Sequence, residues 1–187
     1  MTFYYEMADS PKNVTIYIDG SNFYFSIKKT FKYKVDIEKF CKKLAGENSL
    51  VKIGYYTSPV IQSSNQEMYA EQQSFFYKLE KIDKLKIVLG RLEKHKQDGK
   101  TFYVEKATDI NLALDLVLDA VDNKYDKAFL VSNDGDFSGA VTAVIKRFKR
   151  EIVYVAVGNR KSISHHLKKV ASETLKIDKK FVEEVKL

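Results

Sequence analysis

Residues 14–18, VTIYI, form an unbroken apolar and aromatic run that stops at Asp19-Gly20, the pattern of a buried strand meeting a turn. Runs of the same kind recur at 51–58 (VKIGYYTS, closed by Pro59), 85–92 (LKIVLGRL), 128–132 (AFLVS) and 151–158 (EIVYVAVG), with a short TLKI run near the end. Between them the hydrophobic period lengthens to that of a helix. Ile37, Phe40, Cys41 and Leu44 share one face behind Asp36, a good N-cap, and ahead of Gly46, a good stop. Cys41 on that inward stripe reads as a small core residue. Met68, Gln72, Phe75, Leu79 and Ile82 mark the seam of a helix expected from about 65 to 83. Thr108 is expected to cap a helix reaching about 123, and Val141, Val144, Ile145 and Phe148 mark the inner face of another over 138–149. A helix is expected over 163–171, and NFYFSIKKTF (22–31) reads as a short helix or an ordered loop. HKQDGK (95–100) carries the Asp-Gly of a hairpin turn, with TFYVEK (101–106) as its return strand.

Strands alternating with helices at this spacing predict an α/β three-layer sandwich with a mainly parallel central sheet, as one domain over 1–187. In such a sheet ligands bind beyond the carboxyl ends of the strands, where the helix N-termini also gather. Asp19 ends the first strand, Asp134 and Asp136 follow AFLVS, and Asp109 opens the helix leading into it. All four are therefore expected at one edge. On the helical wheel Asp109 falls with Leu112, Ala113, Leu116 and Ala120, which aims it inward, and an inward carboxylate needs a partner or a ligand. Asp115, Asp119 and Asp122 lie on the polar face and read as solvated, with Asp115 kept as a supporting residue for the site.

Composition sharpens this picture. There are 32 Lys+Arg against 25 Asp+Glu, a formal charge of +7 that favours polyanionic partners. One Cys excludes a disulfide framework and a Cys-based zinc cluster. Apolar runs are far shorter than the ~20 residues that span a bilayer. The opening MTFYYEMADS has neither a basic nor an apolar leader region, so a soluble, cytoplasmic setting without membrane contact is expected. Clustered carboxylates with one Cys and three His favour a hard cation, Mg²⁺ or Mn²⁺ before Zn²⁺. Such an ion can activate water for phosphodiester hydrolysis. D-G-D-F-S-G at 134–139 imitates a calcium loop, but its twelfth position is Ile145 where a bidentate Glu is required, and a strand precedes it.

Three segments carry a family resemblance. I16-Y17-I18-D19-G20-S21-N22 resembles the opening motif of NYN domains, in the PIN-like metal-dependent ribonuclease superfamily. E105-K106-A107-T108-D109-I110-N111-L112-A113-L114-D115 resembles their central stretch, and L130-V131-S132-N133-D134-G135-D136-F137 their Ser-x-Asp-x-Asp-Phe turn. The matches come in the family's order and cover roughly 12–157. The resemblance implies a PIN-like, Rossmann-like fold and a divalent-metal site of Asp19, Asp109, Asp134 and Asp136. It implies cleavage of RNA, with Asn22 orienting a ligand or touching phosphate and Ser21 and Ser132 beside it. Ala107 and Thr108 depart from the family, where Gly and an aliphatic residue are common.

Around these acids, Phe23, Tyr24 and Phe25 could stack on a base, and Tyr55 and Tyr56 more weakly. Lys146, Arg147, Lys149, Arg150, Arg160, Lys161, Lys168 and Lys169 could meet phosphates. His165 and His166 are adjacent and point about 100° apart, one expected at the surface and one packed; with His95 in the hairpin, no imidazole is placed for acid–base chemistry. The reading is an Mg²⁺- or Mn²⁺-dependent ribonuclease with RNA as partner and a homo-oligomer as an allowed state. The alternatives are a non-catalytic RNA-binding module of the same fold, or a phosphohydrolase, which would need an Asp-x-Asp on the first strand where this chain has Asp19-Gly20-Ser21.

Overall fold

The computed structural model describes residues 10–62, 65–98, 100–159 and 161–187. Six strands form one parallel sheet: β1 (Asn13–Asp19), β2 (Ser49–Thr57), β3 (Leu85–Leu89), β6 (Lys127–Val131), β7 (Glu151–Val157) and β8 (Glu173–Ile177), in the order β3-β2-β1-β6-β7-β8. Side chains alternate across it, as strand geometry requires. Val14, Ile16 and Ile18 of β1 enter one apolar cluster with α1 (Gly20–Thr30), α2 (Ile37–Ala45), α3 (Gln66–Leu79) and α7 (Lys179–Glu184). Tyr17, between them, enters the other with α4 (Thr108–Val121), α5 (Ser138–Phe148) and α6 (His165–Val170). This is the three-layer arrangement expected of buried parallel strands.

The strand order reverses beside β1. From β1 the chain winds outward through β2 to β3; from β6 it winds the other way through β7 to β8. The crossovers leave in opposite directions between β1 and β6, and a crevice opens at their carboxyl ends.

Several boundaries differ from the sequence reading, each for a visible reason. The run at 85–92 is not one strand. It breaks at Gly90, after which β4 (Arg91–Gln97) pairs with β5 (Lys100–Lys106) as a separate antiparallel hairpin. Any Cβ at Gly90 would lie 2.2 Å from Thr108 Oγ1 and 2.6 Å from the Lys106 carbonyl oxygen, so the chain can leave the sheet here only without a side chain. The Asp-Gly turn puts Asp98 at φ 51°; Gly99 lies outside the described residues. The helix expected over 65–83 ends at Leu79, and Met68 is exposed, with Phe76 and Leu79 forming its buried edge. Residues 22–30 are helical, within α1, and Phe31 is its C-cap. The terminal helix α7 carries a capping Asp178 whose side chain accepts from the Phe181 N–H, a signal the sequence reading passed over.

Candidate functional site

Asp19 ends β1 and caps α1 in one residue. Its Oδ1 accepts the Asn22 N–H at 3.1 Å, and Oδ2 accepts the Ser132 hydroxyl at 2.7 Å. Ser132 Oγ in turn accepts the Asp134 N–H at 3.1 Å, so one buried hydroxyl joins the ends of β1 and β6. Asp134 caps a 3-10 turn over Gly135–Phe137 by accepting the Asp136 N–H at 2.9 Å. Gly20 lets α1 begin against the Tyr55 ring, which a Cβ would meet at 2.6 Å.

Asp19, Ser21, Asn22, Phe25, Glu105 and Asp109 line a pocket of about 290 Å³ at the crevice. Burial pushes the Asp19 carboxyl up to about 6. The Asn22 N–H and Ser132 hydroxyl pull against that shift, while the charges of Asp109 and Glu105 add to it. The Asp109 carboxyl is also raised, by partial shielding from water and then by Asp134, Glu105 and Asp136. Five carboxylates thus share one electrostatic field, and among the described residues no cationic side chain lines the pocket.

Asp109 corrects an expectation. It is exposed, not turned into the core, and lines the pocket with Asp19. Thr108 does not cap α4. Ala107 holds the N-cap position in a left-handed conformation, φ 71° and ψ −11°, with no side-chain cap, while Thr108 Oγ1 sits 3.1 Å from Ser58 Oγ. An L-residue there costs about 1 kcal/mol, which gives a physical reason for glycine at this position. Ala107→Gly is expected to raise the melting temperature by about 2–4 °C in a thermal scan.

The remaining expected residues divide. Asn22 spends its side-chain oxygen on the Asn133 N–H (3.0 Å) and the Ser26 hydroxyl (3.4 Å), so it braces the turn carrying Asp134. Ser21 Oγ donates to Glu105 Oε2 at 3.4 Å across the pocket. Asp115 stands elsewhere, accepting from Tyr56 Oη at 2.7 Å and Lys52 Nζ at 3.3 Å. Asp119 is 5% exposed, not solvated, and binds Tyr17, Lys52 and Lys124. Tyr55, Tyr56 and Phe23 are buried and cannot stack on a ligand; Tyr24 and Phe25 are exposed. His165 and His166 are both exposed, so neither is packed, and the His95 ring stacks on Phe102. Lys146, Arg147 and Lys149 close α5 at the far end of the sheet, where Arg150 bonds Asp126 and Asn123. Arg160 lies outside the described residues.

Glu105 was missed as a site residue. It follows Val104 on β5 and precedes Lys106, which reads as an ordinary exposed strand position. Its one signal was its place at the head of the E-K-A-T-D stretch. Asn133 was also missed: its side chain donates to the Val157 carbonyl at 2.5 Å and accepts from Tyr154 Oη at 2.7 Å, tying the β6 loop to β7.

The oxygen-only donor set suits a hard divalent cation. Among the described residues no three His, Cys, Asp or Glu side chains stand close enough together to hold an ion. A cation here would take one or two carboxylates directly and complete its shell with water, the ordinary habit of Mg²⁺. Among the described residues no helix is long and apolar enough to cross a membrane.

The family model of the NYN domain matches residues 13–178. A solved structure of a protein of unknown function from Vibrio parahaemolyticus RIMD 2210633 superimposes with a TM-score of 0.72, covering 97% of this chain and 99% of its own, at 21% identity. At that identity the likeness speaks to the fold. No curated protein matches the sequence.

Proposed function

The chain belongs to the NYN domain family, whose members are PIN-like, nuclease-type domains, and from that premise we propose that it hydrolyses RNA phosphodiester bonds in the crevice between β1 and β6. The observation that carries the reading is Asp19: a carboxylate buried at the strand-order reversal, fixed by two hydrogen-bond donors, and set beside Asp109 and Glu105 in a pocket that no cationic side chain among the described residues lines. Such an arrangement is electrostatically unfavourable until positive charge arrives. Asp19 and Asp109 would hold an Mg²⁺ or Mn²⁺ ion from the pocket, with Asp134 and Asp136 reaching it through water. The ion supplies a lowered pKa for attacking water and countercharge for the phosphate.

The protein's own residues do the rest. Ser132 fixes the direction of the Asp19 carboxylate and sets the Asp134 turn against it. Asn22 and Asn133 keep α1 and that turn in register. Above a pH of about 6 Asp19 carries the charge that a cation needs. Among the described residues no imidazole lines the pocket. The excess of Lys and Arg draws the polyanion in from outside.

The test is cleavage of single-stranded and structured RNA by purified protein. Turnover is expected with Mg²⁺ or Mn²⁺ and is expected to fall to background in EDTA. The second reading is an RNA-binding module of the same fold without catalysis. Salt-dependent RNA binding with no turnover across a panel of divalent metals would select it.

A further inference from the structure

One wall of the pocket is aromatic, and neither the carboxylate chemistry nor the fold requires it. Phe25 is 65% exposed while lining the same pocket as Asp19 and Asp109. It stands one helical turn from Ser21 on α1, so the ring lies beside the carboxylates and not below them. An isolated exposed Phe means little. This one is braced: Tyr24, 53% exposed, meets it edge to face with ring centroids 5.3 Å apart. Lys28 Nζ lies 5.3 Å from the Tyr24 centroid and 3.2 Å from its hydroxyl. The next positions along the same side of α1 are Lys28 and Lys29, both exposed. Phe23, between β1 and this pair, is buried against Phe40, so α1 divides into an anchoring face and a presented face.

From this arrangement we infer a base-binding subsite on α1, in which the Phe25 ring, braced by Tyr24, takes the face of one nucleobase while Lys28 and Lys29 meet a neighbouring phosphate. It rests on the reading of the pocket as a site for nucleic acid. A base inside a duplex has both faces covered by its neighbours and offers none to a ring. A pocket of about 290 Å³ is on the scale of one small ligand. The subsite therefore selects an unpaired nucleotide at the crevice, and it tolerates sequence because every base has a π-face.

The chain contains no Trp, so Phe25→Trp installs a single fluorescent reporter. Titrated in EDTA, where hydrolysis cannot intervene, this variant is expected to be quenched by a single-stranded RNA hexamer and not by a blunt duplex of the same composition. Phe25→Ala is expected to weaken binding of the labelled hexamer roughly 5- to 100-fold by anisotropy, with an unchanged melting temperature because the ring is exposed. Equal hexamer binding by Phe25→Ala and wild type, equal quenching by the duplex, or no hexamer binding by the wild type each overturns the subsite. Failure of the catalytic reading looks different: Phe25-dependent binding survives and turnover is absent at every metal tried.

Discussion

Replacing Asp19 by Asn is expected to lower RNA cleavage by roughly 100-fold or more while making the metal-free protein more stable. Asn keeps the shape and its one oxygen still caps α1 through the Asn22 N–H, while its NH2 takes the place of the oxygen that met Ser132 and donates to that hydroxyl oxygen, so donor and acceptor are exchanged in a single bond. What disappears is a charge. The folded state raises the Asp19 pKa from 3.8 to about 6, so between those values the native chain holds a proton that the unfolded chain has released. Stability therefore falls as pH rises through about 4 to 6, and at neutral pH the penalty is complete. The shift alone amounts to about 3 kcal/mol; the exchanged Ser132 bond takes back part of it, so removing the charge should raise stability by roughly 1–2 kcal/mol, or about 2–8 °C, in EDTA. The advantage should vanish below pH 4, where wild-type Asp19 is neutral in both states. Cleavage by Asp19→Asn at the wild-type rate would end the catalytic reading, and a lower melting temperature would end the claim that the pocket is under electrostatic strain.

The largest expected effect on stability lies outside the pocket. Asp119→Ala is expected to cost about 3 kcal/mol, seen as a melting temperature lower by roughly 6–12 °C. Asp119 Oδ2 accepts from Tyr17 Oη at 2.8 Å and Lys52 Nζ at 2.6 Å, and Oδ1 accepts from Lys124 Nζ at 3.1 Å. Burial alone would raise this carboxyl, yet Lys52, Tyr17 and Lys124 together hold it below its usual value. Its contribution is therefore present above about pH 4 and is lost as pH falls through the depressed folded pKa. Truncation leaves the Tyr17 hydroxyl buried without its acceptor and Lys52 with Asp115 alone, 3.3 Å away. Asp119→Asn, which retains an acceptor, should lose roughly half as much. A melting temperature unchanged in Asp119→Ala would show that solvent replaces these bonds at no cost.

These two aspartates also show how far sequence reasoning reaches. Asp19 was legible because a β-branched run ending in Asp-Gly fixes both strand and edge, and the edge of a parallel sheet is where ligands sit. Asp36, Gly46 and the stripe between them were legible for the same reason: every signal is local. Asp119 was misread because a wheel gives the angle of a side chain and not what stands opposite. Its partners Lys52 and Tyr17 come from two strands 67 and 102 positions away. Asp109 was expected at the right edge, beside Asp19, but the wheel aimed it into the core when it stands exposed at the pocket. Glu105 is brought to the pocket by the hairpin that Gly90 turns out of the sheet, a departure visible only once Thr108 and the Lys106 carbonyl are seen crowding that glycine.

The pairing of β1 with β6 has a consequence in time. Asp19 and Ser132 are 113 positions apart. At roughly 5–20 residues per second of synthesis, about 6–20 s separate their appearance on a growing chain. Until it ends Asp19 has neither its hydroxyl donor nor the carboxylates at 134 and 136, and the central strand lacks one of its two neighbours. Contacts so distant in sequence also form late and slowly in folding. The crevice is thus among the last parts of the sheet edge to be completed as the chain is made.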